Sequence, residues 1–179
     1  ELPPELVARL ARVRQDKMAS ARTPLADVRW VVVDLETGGL NAETDPLLSI
    51  GAVDVKQGRI VLGSGFEASL HQTQATSTQN ILLHGLTHSQ QFAGRPPRDV
   101  LMEFAEYAAG AVFVAFHAGF DQSVLRNALQ RELGFKLEAP WLDAAVLAPM
   151  LFPALAKGRR HLDDWLEAFG LGNFSRHSA

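Results

Sequence analysis

An apolar run leads directly into acids and glycines in the stretch Trp30-Val31-Val32-Val33-Asp34-Leu35-Glu36-Thr37-Gly38-Gly39. Consecutive β-branched residues are typical of a central strand that is buried on both faces of a sheet. Side chains alternate between the two faces of a strand, so Asp34 and Glu36 point the same way, about 7 Å apart at the usual rise per residue. The stretch therefore predicts a buried strand that ends in two acids on one face and is followed by a glycine turn.

Two carboxylates on one face repel each other unless a cation lies between them. Divalent Mg²⁺ or Mn²⁺ fits, because hard cations prefer oxygen ligands. The glycines beside the acids let a phosphate or a sugar approach the backbone closely. An isolated Asp-x-Glu pair is nevertheless more often an ordinary exposed strand end, so the pair alone does not define a site.

The segments around this strand predict a mixed sheet with helices on its faces. Residues 47–55 and 60–70 are strand-like and are joined by a turn that contains Gly58, which predicts a meander of three strands. After a polar stretch, helix and strand patterns alternate: a helix at 100–109, a buried strand at 111–116, a helix at 122–133, a strand and helix at 142–152, and a helix at 162–169. Strands first and alternation afterwards indicate an α/β fold.

The N-terminal segment predicts an amphipathic helix over residues 4–19, because Leu6, Leu10 and Val13 recur at helical spacing after two prolines. We interpret this helix as an arm that packs on the domain. We expect residues 1–28 to form the helix and a linker, and residues 29–179 to form the main domain.

The composition excludes several classes of protein. The chain has 179 residues, 47% of them hydrophobic and 21% charged, which predicts one soluble globular domain and no membrane span. Without cysteine, disulfides and thiolate metal sites are excluded, and the cytoplasm is the expected compartment. The net charge of −3 disfavours a tight sequence-specific DNA binder, so attraction to nucleic acid has to be local or supplied by bound cations.

A second group of chemically active residues lies where a predicted strand breaks and a helix begins, in Phe116-His117-Ala118-Gly119-Phe120-Asp121. Taken alone, Asp121 is interpreted as the N-cap of the helix, with Phe120 and Leu125 forming a hydrophobic staple. We interpret His117 as a buried structural imidazole.

A third group is Arg176-His177. A lone exposed histidine is usually inert, but beside divalent cations a neutral imidazole is suited to take a proton from an attacking water molecule.

Four short motifs follow one another along the chain: Asp34-Leu35-Glu36-Thr37-Gly38-Gly39-Leu40, His84-Gly85-Leu86-Thr87, His117-Ala118-Gly119-Phe120-Asp121 and Arg176-His177. In this order they resemble the DEDDh exonucleases and, more narrowly, the group of the proofreading epsilon subunit of bacterial DNA polymerase III. The resemblance covers roughly residues 29–179.

The resemblance implies a ribonuclease H-like fold with a five-stranded mixed sheet and a site for two ions of Mg²⁺ or Mn²⁺. Asp34 is expected to bridge both ions, Glu36 to hold the ion that activates water, and Asp121 to help hold the other. His177 is the expected general base. The substrate-binding residues implied are Thr37, Gly38, Leu40, His84 and Phe120.

The implied function is a 3′→5′ exonuclease that releases nucleoside 5′-monophosphates from single-stranded or frayed DNA. The expected partners are a nucleic acid 3′ end, with single-stranded DNA favoured over RNA, and a DNA polymerase for which the domain proofreads. An RNA-trimming exonuclease with the same site and a catalytically silent polymerase-binding module remain alternatives.

The sequence departs from the family pattern at its C-terminal end. Relatives carry a fourth metal-binding Asp about five residues beyond the catalytic histidine, and the sequence stops at Ala179. Either a longer parent protein supplies this Asp, which is our expectation, or the chain as given binds its water-activating metal poorly. Asp163 and Asp164 lie at the start of a predicted helix, where acids favour the helix dipole, and we interpret them as structural.

Further positions carry smaller expectations. Many relatives have a bulkier residue at the position of Gly39, and they usually have Asn at the position of Ala118. Asp143 is expected to cap the helix that follows it, and Asp54 is expected to face solvent. A basic loop that contains Lys157, Arg159 and Arg160 is interpreted either as an electrostatic guide for a phosphate backbone or as an ordinary solvated loop.

Overall fold

The computed structural model describes residues 2–20, 22–73 and 92–172. In chain order these residues form α1 (Pro4–Val13), a 3₁₀ turn (Leu25–Asp27), β1 (Trp30–Thr37), β2 (Leu47–Lys56), β3 (Arg59–Ser69), α2 (Pro97–Tyr107), β4 (Val112–Ala115), α3 (Ala118–Leu133), β5 (Trp141–Asp143), α4 (Ala144–Leu151) and α5 (Leu162–Ala168). The helices and strands predicted in this part of the chain are present, with shifted ends.

The five strands form one mixed sheet in the order β3-β2-β1-β4-β5. β1, β2 and β3 form the predicted antiparallel meander, while β4 pairs with β1 and β5 pairs with β4 in parallel. The hairpin turn has positive φ at both central residues, 52° at Gln57 and 68° at Gly58, a conformation that matches the twist of the paired strands. The prediction of a five-stranded mixed sheet flanked by helices is confirmed.

The main core lies between one face of the sheet and the first three helices. Val31, Val33 and Leu35 of β1 point into this core and are at most 7% exposed. On the opposite face Val32 is 39% exposed and Asp34 is also exposed. The prediction that β1 is buried on both faces is therefore wrong for the described part of the chain, because α1, α2 and α3 pack together on one side.

The N-terminal helix packs on the domain as predicted, but it is shorter than the predicted span of 4–19. Leu6, Leu10 and Val13 are buried in the main core. The helix ends after Val13 because the next residues at helical spacing are charged and offer no apolar surface to bury. The proposed boundary near residue 28 stays a prediction.

Asp54 of β2 is buried, with 1% of its surface exposed, so the prediction that it faces solvent is wrong. Its carboxylate accepts hydrogen bonds from Arg29 Nε at 2.6 Å and Ser64 Oγ at 2.8 Å. Ser64 reaches Asp54 because the pairing of β2 with β3 shifts register between Ala52 and Asp54, and the extra residues of β3 form a bulge there.

No helix in residues 2–20, 22–73 or 92–172 is both long enough and apolar enough to cross a bilayer.

Candidate active site

Two of the predicted acids lie where β1 extends beyond its parallel neighbour. β4 pairs with β1 only as far as Val32 opposite Val114, so Asp34 and Glu36 lie past the last paired residue. Asp34 is exposed and Glu36 is partly buried. Between them, Leu35 points into the core with 7% exposure, which confirms the alternation that placed the two acids on one face.

Asp121 lies next to this end of β1, in the first turn of α3. The helix begins at Ala118 and not near residue 122, so the interpretation of Asp121 as the N-cap is wrong. The residue before the helix is His117, in a left-handed conformation with φ 63° and ψ 45°. The side chain of Asp121 is buried, with 7% exposure, so α3 carries a carboxyl group into the interior beside β1.

The left-handed turn before α3 is held from another strand. Asp143 Oδ1 accepts a hydrogen bond from the His117 backbone N–H at 3.0 Å and from the Ala145 backbone N–H at 2.9 Å. The second contact confirms that Asp143 caps α4, and the first links the end of β5 to the start of α3. The imidazole of His117 is exposed and contacts Phe116 edge to face, so the prediction of a buried imidazole is wrong.

The three acids influence one another electrostatically. Burial raises the pKa of Glu36 to about 7, and the charges of Asp34 and Asp121 add to the rise. Burial likewise raises the pKa of Asp121 to about 7, with the charge of Asp34 as the next cause, while backbone N–H groups at Asp121 and Leu35 oppose the rise. The charge of Asp34 therefore acts on both neighbours.

This set of acids has the donor chemistry of a site for a hard divalent cation. Such an ion prefers carboxylate oxygens and would relieve the repulsion that adds to the burial of Glu36 and Asp121 in raising their pKa values. Within residues 2–20, 22–73 and 92–172, however, no three His, Asp or Glu side chains are arranged to hold a metal ion by themselves. The described acids therefore fit Mg²⁺ or Mn²⁺ in charge and in donor type, and a complete ligand set remains a proposal.

The predicted substrate-binding residues around β1 border the acids. Thr37 Oγ1 donates a hydrogen bond to Gly39 O at 2.6 Å, and the Gly38 N–H donates to Pro46 O at 2.8 Å. The side chain of Leu40 projects from the turn with 93% exposure. Phe120 packs against the core one residue before Asp121.

Two further site residues, His84 and His177, lie outside the described residues. Their predicted roles in substrate binding and base catalysis stay predictions.

The remaining charged residues singled out in the sequence lie around α5. Asp164 accepts hydrogen bonds from the backbone N–H groups of Arg160 and His161 at 2.9 Å, and these contacts hold its pKa below the usual range. Its structural interpretation is confirmed. Arg159 donates to the carbonyl oxygens of Leu155 and Asp164, so its guanidinium has internal partners, whereas Lys157 is exposed.

Two residues that shape the site were missed in the sequence. Asp45 accepts a hydrogen bond from the Asn41 N–H at 2.8 Å, and Asn127 Nδ2 of α3 donates to Ala42 O at 3.0 Å. The Asn41 and Asp45-Pro46 positions carry turn-forming residue types, which signal an ordered loop. Nothing local to Asn127 indicates that it reaches a residue 85 positions away.

Residues 31–179 match the RNase T family, described as exonuclease, and the chain belongs to this exonuclease family. The PolC-type DNA polymerase III of Thermotoga maritima is 31% identical over 153 residues, which cover 86% of this chain and 11% of that protein. A DNA polymerase III subunit epsilon-like protein of Rhodobacter capsulatus is 32% identical over 142 residues, with 79% and 20% covered. The chain thus spans a small part of the length of these relatives.

Solved structures of exonuclease I share the fold. Escherichia coli exonuclease I in complex with a dA16 oligonucleotide has a TM-score of 0.73 at 14% identity, covering 86% of this chain and 38% of that one. The zinc-ion-bound form of the E. coli exonuclease I–ssDNA complex has a TM-score of 0.73 at 15% identity, covering 86% and 37%. At such low identity the likeness shows the fold alone, and it confirms the predicted ribonuclease H-like architecture.

Proposed function

We propose that this chain is a 3′→5′ exonuclease domain that releases nucleoside 5′-monophosphates from single-stranded or frayed DNA. The observation that carries the proposal is the set of acids at the end of β1, where burial and, after it, the charge of Asp34 raise the pKa of both Glu36 and Asp121. Like charges held close together destabilise a fold, and more so where they are partly or fully buried as at Glu36 and Asp121, so their presence together is best accounted for by a function that needs them.

The proposed roles follow from the chemistry of the side chains. Asp34, Glu36 and Asp121 would hold two ions of Mg²⁺ or Mn²⁺. When bound, these ions stabilise charge on the attacking and leaving oxygens of an in-line displacement at the terminal phosphodiester. His177 would take the proton of the attacking water.

Substrate contacts are proposed for the residues that border the acids. The backbone at Gly38, the hydroxyl of Thr37 and the exposed side chain of Leu40 would contact the terminal nucleotide. Phe120 and His84 would complete this contact. The apolar Leu40 side chain has a favourable partner in an unpaired base, which single-stranded or frayed ends provide.

The choice of DNA and the polymerase setting rest on the relatives. Two of them are named as DNA polymerase III proteins, and two exonuclease I structures are described as complexes with an oligonucleotide or with ssDNA. We therefore propose DNA as the substrate and a DNA polymerase as the partner for which the domain proofreads.

The test measures mononucleotide release from 3′-labelled and 5′-labelled single strands of DNA and RNA, with Mn²⁺ or with EDTA. It uses the longest natural chain that contains this sequence, and its Asp34→Asn variant. We expect the 3′ label to be released as a mononucleotide only with metal. We expect Asp34→Asn to reduce the rate by roughly 10³-fold, since bound ions supply several kcal/mol of charge stabilisation.

Glu138→Gln is a suitable control, because Glu138 is an exposed acid paired with Lys136. Its rate should equal that of the wild type. Release of the 5′ label first would contradict the proposed polarity, and faster trimming of RNA than of DNA would contradict the proposed substrate. Equal rates for Asp34→Asn and the wild type would contradict the proposed site.

A further inference from the structure

We propose that Asp45 is a positioning residue for the substrate. Its side chain closes the loop of residues 38–46, here named the glycine loop, and lies beside Gly39 within that loop. The inference rests on the proposed function, in which this loop contacts the terminal nucleotide. Asp45 itself is assigned no contact with the substrate. It acts through the conformation of Gly38, Gly39 and Leu40.

Asp45 closes the glycine loop by two contacts with Asn41. Asp45 Oδ2 accepts a hydrogen bond from the Asn41 N–H at 2.8 Å, and the Asp45 N–H donates to Asn41 O at 2.9 Å. The Asn41 side chain in turn accepts from the Glu43 N–H at 3.0 Å. The five residues from Asn41 to Asp45 therefore form a closed turn, in which the carboxylate takes up a backbone N–H that otherwise needs a partner from solvent.

The carboxylate of Asp45 also lies where a side chain at position 39 would have to be. A Cβ atom added to Gly39 would lie 2.2 Å from Asp45 Oδ2 and 2.8 Å from its Cγ. Two atoms cannot approach so closely, so a side chain at position 39 and this conformation of Asp45 exclude each other. Gly39 and Asp45 are therefore a coupled pair.

The glycine loop is held at its base, next to β1, and at its middle, by α3. The Gly38 N–H donates to Pro46 O at 2.8 Å at the base of the loop, two residues after Glu36. At the far side, Asn127 of α3, the helix that carries Asp121, donates to Ala42 O at 3.0 Å. A loop held at its base, at its middle and by Asp45 presents Leu40 in one conformation and requires little ordering when the substrate binds.

This arrangement predicts an effect on substrate binding more than on the chemical step. A contact that is made equally in the bound substrate and in the transition state changes KM and leaves kcat unchanged. Asp45 lies outside the set of acids assigned to the metal ions, so its loss leaves those acids in place. A general loss of structure would instead lower kcat through a smaller folded fraction.

The test measures KM and kcat for metal-dependent mononucleotide release by the longest natural chain, with the variants Asp45→Ala, Asp45→Asn, Gly39→Ala and the double variant Gly39→Ala with Asp45→Ala. We expect Asp45→Ala to raise KM roughly tenfold with kcat within about twofold, the size expected for one lost hydrogen bond to a charged group. Asp45→Asn keeps an oxygen acceptor for the Asn41 N–H and should rescue KM to within about threefold of the wild type.

The coupling between positions 39 and 45 gives a second readout. Gly39→Ala should raise KM at least as much as Asp45→Ala, and the double variant should be no worse than the poorer single variant, because the clash is then absent. Thermal melting of each variant identifies any that fails to fold, and the double-variant comparison is then made among the folded ones.

The outcomes separate this inference from the proposed function. Metal-dependent release by the wild type with an unchanged KM in Asp45→Ala, or with additive effects in the double variant, overturns the role of Asp45 and leaves the exonuclease proposal intact. A fall in kcat alone, in proportion to a lower folded fraction, overturns the positioning role as well. Absence of metal-dependent release by the wild type overturns the proposed function and this inference with it.

Discussion

At the scale of single residues, Asp54 shows how a charge is kept inside this protein. Burial opposes ionisation of Asp54, but hydrogen bonds from Arg29 and Ser64, together with the guanidinium charge, hold its pKa below the usual range. Arg29 also donates to the carbonyl oxygens of Tyr107 and Ala109 and lies over the Tyr107 ring. The pair therefore joins β2 to the end of α2.

We predict that Arg29→Met destabilises the protein by about 2–3 kcal/mol, because the buried Asp54 then loses its hydrogen-bonded cation and keeps Lys56, whose Nζ lies 4.0 Å away. Loss of one partner of a buried pair usually costs about 3–5 kcal/mol, and the smaller value allows for the 27% exposure of the Arg29 side chain. The free energy of unfolding in urea measures the effect. Arg9→Met is the matched control, since the pair of Arg9 with Glu106 is one-third exposed and should contribute about 1 kcal/mol or less.

The pH dependence of this difference has a definite sign. Asp54 has a lowered pKa in the folded state, so its contribution is present above the pKa of the unfolded chain and is lost as pH falls through the folded value. The gap between Arg29→Met and the wild type should therefore be full at pH 7 and shrink in acid. A gap that grows below pH 4 would contradict the assignment of the charge to Asp54.

Asp34, Glu36 and Asp54 mark what a sequence can and cannot predict at this scale. The direction of Asp34 and Glu36 follows from the period of two in a strand, which is a local property. The burial of Asp54 depends on a bulge in β3 and on Arg29, which lies before β1, and neither is encoded near residue 54. The prediction for Asp54 was wrong for this reason.

At the scale of secondary-structure elements, the start of α3 depends on a residue far along the chain. The sequence around residue 117 has no Ser, Thr, Asp or Asn at the position before the helix, so the usual cap signal pointed to Asp121. The actual turn is a left-handed His117 supported by Asp143, which is 26 positions away. The helix was therefore predicted correctly and its first residue was not.

We predict that Asp143→Ala destabilises the protein by about 1–2 kcal/mol, since one helix cap and one further N–H partner are lost together. The same change should weaken the stabilisation by Mg²⁺, because the first turn of α3 carries Asp121. Thermal unfolding with EDTA and with Mg²⁺ measures both effects. Asp143→Asn keeps an oxygen acceptor and is the matched control. Equal Mg²⁺ shifts in Asp143→Ala and the wild type would show that the turn does not position Asp121.

At the scale of the whole molecule, the order of short motifs predicted the family, although each motif alone had an ordinary structural explanation. The strand meander and the helical segments are local patterns, and the sheet order follows from the way such patterns pack. The placement of Asn127 against the glycine loop depends on packing between distant segments. This contact could be found only in the folded structure.

The acids at the end of β1 should also determine how the stability of the whole molecule depends on pH in the absence of metal. Glu36 and Asp121 have folded pKa values of about 7, above the ordinary values of 4.5 and 3.8. Between those limits the folded state binds more protons than the unfolded state, so this set of acids lowers stability as pH rises from about 4 to 7. Asp34→Asn removes the charge that acts on both groups and should raise the melting temperature in EDTA at pH 8 more than at pH 5.

Mg²⁺ should stabilise the wild type more at pH 8 than at pH 6, because the ion replaces protons on the carboxylates, and it should have little effect on Asp34→Asn. Melting curves at these pH values, with Glu138→Gln as the control, measure both effects. A wild type that gains stability relative to Asp34→Asn in EDTA as pH rises to 8 would show that the three acids do not repel one another in the folded protein.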